Sequence, residues 1–136
     1  MSHAPLVESA GQAYVRPLAK MREFLGELPA GRAPVVLAAL GPKMLELSRD
    51  RALGAHPYFS PPAHTAFARS VLGAAPLLIP EQAVSLAGGR EGQAAGRAYA
   101  KYYLQLPNYV SNLRRFGFGD DDVTGGGIQI PVRPSA

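Results

Sequence analysis

Apolar positions between Pro17 and Leu28 recur in steps of three and four, with Leu18, Met21, Leu25 and Leu28 on one stripe and mainly polar residues between them. That spacing predicts an amphipathic helix over 17–28. A proline suits its first turn, where a missing N–H has no partner to lose. The pattern then changes: Val35-Val36-Leu37-Ala38-Ala39-Leu40 is apolar without alternation, as expected of a parallel strand covered on both faces. Gly41-Pro42 turns the chain into a second helix, expected over 42–52, with Met44, Leu45, Leu47 and Ala52 on its buried side and Gly54 ending it. A short strand is expected at 54–58.

Ser60-Pro61-Pro62 opens a third helix over 62–72, carrying Ala63, Phe67, Val71 and Leu72. A further strand region is expected over 77–86, interrupted by Pro80, then a Gly-Gly turn and a helix over 91–106. Pro107-Asn108 breaks that helix, and YVSNLRRFGF reads as a short amphipathic one. Residues 1–14 and the stretch GDDDVTGGG read as loops, and 126–136, with two prolines, as a disordered tail or an edge strand. Helices alternating with about three strands imply an α/β fold on a parallel sheet with right-handed crossovers.

Composition narrows this picture. The 136 residues suit one domain with a real core, and 47% hydrophobic against 18% charged residues is a globular balance. The absence of cysteine excludes disulfides, thiolate metal sites and cysteine nucleophiles together. No apolar segment approaches the ~20 residues that span a bilayer, and MSHAPLVESAG lacks the basic and apolar regions of a signal peptide. A cytoplasmic protein with no membrane partner is the expectation. The formal charge of +4 comes from basic residues spread singly along the chain, with only Arg114 and Arg115 adjacent. A nucleic-acid binder concentrates its charge on one face, so nucleic acid is not expected as a partner.

Several residues carry candidate chemistry. Gly41-Pro42 between a strand and a helix offers the N–H groups of Gly41, Lys43 and Met44 and the positive end of a helix dipole, which together favour an anion; an ordinary tight turn is the alternative. His56 and Tyr58 alternate onto one side of their strand, with a half-buried packing tyrosine as the plainer reading. Glu81 follows Pro80 in a strand region, where a buried carboxylate needs a partner. His64, inside a helix, reads as a surface residue. Asp120, Asp121 and Asp122 are consecutive, so they do not converge on one ion as alternating loop ligands do. Tyr99, Tyr102, Tyr103 and Tyr109 are spaced as helix-packing aromatics.

Taken in order, RPLAKMREFL, VLAALGPKMLELSRDRALGAHPYF, HTAFARSVLG, LLIPEQAVSL and LPNYVSNLRRFGFGDDDV resemble the luciferase-like monooxygenase superfamily, and within it the actinobacterial oxidoreductases that use coenzyme F420. AALGPKMLELSRDRALGAHPY is the most specific piece. The resemblance covers residues 1–125 and implies the middle of a (β/α)8 TIM barrel, about three or four βα units of a fold that takes ~250 residues when closed. It implies F420, or alternatively FMN, as cofactor, and hydride transfer to or from a small organic substrate. By the same resemblance the backbone at Gly41, Pro42, Lys43 and Met44 holds the cofactor's phosphate-bearing tail. Ser2 and His3 correspond to the end of the family's third strand, beside the cofactor ring, while a free N-terminus is flexible on general grounds. His56 and Tyr58 would face the barrel lumen, and Glu81 would be a polar contact within it.

A partial sheet leaves open edges and an uncovered inner face, so a homo-oligomer is expected. The competing expectation is a non-catalytic truncated half-barrel that only self-associates.

Overall fold

The computed structural model describes residues 4–29, 31 and 33–124. Ser2, His3 and the 126–136 tail lie outside the described residues. Contacts divide the chain between Gln82 and Ala83 into two compact units.

The first unit runs α1 (Ala4–Ser9), α2 (Pro17–Glu27), β1 (Val36–Leu37), α3 (Pro42–Arg51), β2 (Gly54–Ala55), α4 (Pro62–Leu72) and β3 (Leu77–Leu78). Its sheet is parallel, in the order β1-β2-β3, with Leu37 opposite Ala55 and Ala55 opposite Leu78. Helices α2, α3 and α4 each begin with proline in the first turn. The third ends at Gly73, whose φ of 78° is open to glycine and strained for other residues. The N-terminal stretch read as loop contains α1, a single short turn-and-a-half whose caps the apolar spacing did not announce.

The regular strands are shorter than expected, two residues each, although hydrogen bonds continue past them. Leu77, Ile79 and Glu81 donate to Leu53, Ala55 and Pro57 at 2.9 Å each. Pro80 falls between two of these donors, where its N would face the open edge, so it costs the ladder nothing. Gly54 is part of β2 and does not serve as the cap of α3, whose C-cap is Ala52. A Cβ at Gly54 would collide with the backbone of Leu77, so the close approach of β2 to β3 requires glycine.

The core lies on one face of the sheet. Ala39, Leu45, Ala55, Ala68 and Leu72 form one buried cluster, with Met44, Phe67, Val71 and Leu78 against it. Leu25, Leu37 and Leu47 form a second, flanked by Leu18, Met21 and Leu28. Leu37, Ala55 and Leu78 are register partners and all point into these helix-facing clusters. The strands were expected to be covered on both faces. Instead, alternation leaves Val36, Ala38, His56, Leu77 and Ile79 on the face away from α2, α3 and α4, with Leu77 and Ile79 each 45% exposed.

The second unit is helical: α5 (Gly89–Tyr103), α6 (Pro107–Arg115) and the short α7 (Asp120–Thr124). Helix α5 starts two residues earlier than expected and ends three earlier, and α7 occupies part of the stretch read as a loop. Tyr103 packs on three rings, those of Tyr99 at 4.8 Å, Tyr102 at 5.1 Å and Tyr109 at 5.4 Å between centroids. Tyr109, Leu106, Leu113 and Asn112 are buried there. No helix among the described residues is long and apolar enough to cross a membrane.

Candidate functional site at the carboxyl ends of the strands

Three chain segments leave the sheet at the same end, and each carries a candidate from the sequence. After β1 comes Gly41, the N-cap of α3, in extended backbone with open space where a side chain would stand. Met44 already donates its N–H to the Gly41 carbonyl at 3.1 Å. Of the three donors counted from sequence, the N–H groups of Gly41 and Lys43 are left without a hydrogen bond among the described residues. Lys43 is exposed beside them, and Pro42 fills the first turn without donating. Two free N–H groups, a cation and the positive end of a ten-residue helix fit a phosphate.

His64 holds this turn from behind, which the sequence reading missed. It is fully buried, not a surface residue, and its Nε2–H donates to the Leu40 carbonyl at 2.9 Å. Its ring also meets Phe67 edge-on, with centroids 6.0 Å apart. The signal was present: His64, Ala68 and Leu72 recur every four residues and are the three buried positions of α4, whereas Ala63, the first apolar residue noted on that helix, is exposed. A histidine on an apolar helical stripe marks a buried polar group with a backbone partner.

The ends of β2 and β3 meet through side chains. His56 Nδ1 lies 2.6 Å from the Ile79 carbonyl oxygen, and His56 Nε2 lies 3.1 Å from Glu81 Oε2. Both side chains are partly open to solvent, at 39% and 55%. Glu81 is therefore not the buried carboxylate expected, but it does have a partner, because the ladder brings residue 81 level with residues 57 and 58. Tyr58 makes a parallel bridge with Glu81 and is half-buried. Phe59 has a φ of 49°, a strained value for a bulky residue. The carbonyl of Ser60, next in the chain, accepts the Gln82 side-chain amide at 2.7 Å. That bond pins the turn between β2 and α4 to the end of β3.

The consecutive aspartates of the second unit have local roles. Asp120 accepts a bond from Arg114 at 2.6 Å, and Asp122 accepts the Gly119 N–H at 2.8 Å. An open cleft of about 680 Å³ in this unit is lined by Arg97, Lys101, Leu104, Gln105 and Thr124 among others. Among the described residues, no three His, Asp or Glu side chains are grouped to hold a metal. No family model, curated protein or solved structure matches this chain.

Proposed function

We propose that the chain provides a cofactor-holding part of a luciferase-like oxidoreductase that moves a hydride between coenzyme F420, or alternatively FMN, and a small organic substrate. The observation that carries this reading is the one-sided sheet. Parallel strands with helices on one face, an opposite face that α2, α3 and α4 leave uncovered and polar residues at the carboxyl ends are what a sector of a (β/α)8 barrel requires. The described strands would be three of its eight. When bound, the cofactor supplies the hydride chemistry. The Gly41 and Lys43 N–H groups and the Lys43 ammonium hold its phosphate, and His56, Tyr58 and Glu81 face the substrate; the part the resemblance gives to Ser2 and His3 falls outside the described residues.

Titration of the chain with F420 and with FMN, followed by fluorescence quenching, tests this. Saturable binding is expected, weakened about tenfold by Lys43→Glu, which sets a carboxylate against the phosphate. Absence of saturation with both cofactors overturns the reading; unchanged affinity in Lys43→Glu overturns the phosphate placement.

Leu77 and Ile79 favour a second reading, a non-catalytic half-barrel that self-associates, because both expose apolar surface on the face away from the helices. A dimer in sedimentation with no cofactor binding supports it, whereas a monomer that binds cofactor excludes it.

A further inference from the structure

We propose that His56 and Glu81 share one proton and pass it to or from the substrate, with Glu81 as the catalytic residue and His56 as its positioning residue. This rests on the hydride-transfer reading above. In the parallel ladder, Ile79 donates to the Ala55 carbonyl and Glu81 to the Pro57 carbonyl. The return bond to the Ile79 carbonyl would come from the N–H of residue 57. Residue 57 is a buried proline and has none. The imidazole of His56 takes that place, with Nδ1 2.6 Å from the Ile79 oxygen. A carbonyl only accepts, so Nδ1 carries a proton.

The other side of the ring is then determined. Nε2 faces Glu81 Oε2 at 3.1 Å, and a bare imidazole nitrogen and a bare carboxylate oxygen both lack a donor. The contact therefore holds one proton, on one atom or the other. Glu81 Oε1 makes no hydrogen bond among the described residues, and the side chain is half-exposed at the carboxyl end of the sheet. A substrate oxygen has access to the carboxyl there.

For a carbonyl substrate the step balances as follows. The substrate carbon gains a hydride from the reduced flavin or deazaflavin and forms a C–H bond. The C=O π pair moves to oxygen, and that oxygen takes the contact's one proton from Glu81 Oε2, which leaves Glu81 a carboxylate and His56 neutral with its Nδ1 proton. The substrate is reduced by two electrons, the cofactor oxidised by two, and the pair regains its proton from water. The reverse direction runs through the same atoms.

Long-range proton–nitrogen NMR of the histidine rings in the 15N-labelled full chain tests the pair without turnover. His56 is assigned by the loss of its signals in His56→Asn. A protonated Nδ1 is expected, together with an Nε2 signal that moves in Glu81→Gln while Nδ1 stays. Pro57→Ala restores a backbone donor to the Ile79 carbonyl and is expected to release Nδ1. An unprotonated Nδ1, or an Nε2 indifferent to Glu81→Gln, overturns the pair. With reduced F420 or FMN and a panel of simple ketones, Glu81→Gln is expected to lower turnover about 100-fold with cofactor affinity unchanged, and Glu81→Asp to restore part of it. Turnover insensitive to Glu81→Gln overturns the catalytic role. Loss of cofactor binding with the ring signature intact overturns only the hydride-transfer reading; loss of the signature with cofactor bound overturns only the pair.

Discussion

The two units solve the problem of a core in different ways. Up to Gln82 the interior is aliphatic and small where elements come close, with Ala39, Ala55 and Ala68 fully buried beside Leu45 and Leu72. Helices lying on a sheet need small residues at the closest approaches, and many modest contacts share the stabilisation. From Ala83 onward, a fifteen-residue helix buries only Ala100, and Tyr103 gathers the rings of Tyr99, Tyr102 and Tyr109 around it. Area is concentrated in a few large side chains there. Even spreading favours a rigid platform for a site; concentration favours a helical unit that opens more easily.

Gly54→Ala is expected to have the largest effect of any single substitution, because the new methyl meets the Leu77 backbone, which has nowhere to move without unpairing β3. Denaturant unfolding is expected to show a loss above about 4 kcal/mol. A small loss would show that the sheet is looser than its ladder implies.

Leu45→Ala and Tyr109→Ala sharpen the contrast between the units. Each is expected to cost about 3 kcal/mol, the first through a cavity between α3 and the sheet, the second through a missing ring beneath Tyr103. Differential scanning calorimetry is expected to show each lowering a different transition. If both lower one common transition, the division into separately stabilised units fails.

His64→Ala comes next, at about 2 kcal/mol, since the Leu40 carbonyl loses its donor. Faster amide exchange is expected at Met44 and Leu45, whose N–H groups bond to the Gly41 carbonyl, while α5 stays as in the parent chain. Unchanged exchange at the turn would remove His64 from the architecture of the site.

The smallest effect belongs to the Arg49–Asp50 pair at the end of α3. The hydrogen bond from the Arg49 guanidinium, at 2.7 Å, holds the Asp50 carboxyl below its ordinary value. A group depressed in the folded state stabilises above its unfolded pKa, about 3.9, and that contribution disappears as pH falls through the folded value. Asp50→Asn is therefore expected to lower Tm slightly at pH 7 and not at all in strong acid. The pair is exposed, so a shift of several degrees would contradict the screening expected at a surface.

Proline made much of this fold legible. Pro17, Pro42, Pro62 and Pro107 each stand in the first turn of a helix, and the apolar stripes between them identified Leu25, Leu45, Leu47 and Leu72 as core. The candidate site was legible as to which residues, His56, Tyr58 and Glu81, but not as to which touch. Their meeting depends on register, and on Pro57 leaving a carbonyl without its usual donor, and neither can be read from periodicity. His64 was misread because its polarity outweighed its place on the stripe. The covering of only one face was missed for a related reason: an unbroken apolar run looks the same whether its second face meets a helix or none.

The register of the sheet also bears on how the chain comes to be folded during synthesis. Val36 pairs with Gly54 and Gly54 with Leu77, so each strand meets its neighbour after a single intervening helix. Closing such short loops carries little entropic cost, and α3 packs more extensively on α4 than any other two elements of this unit on one another. Each βα step can therefore dock on the one before it as it leaves the ribosome, without waiting for residues beyond Gln82.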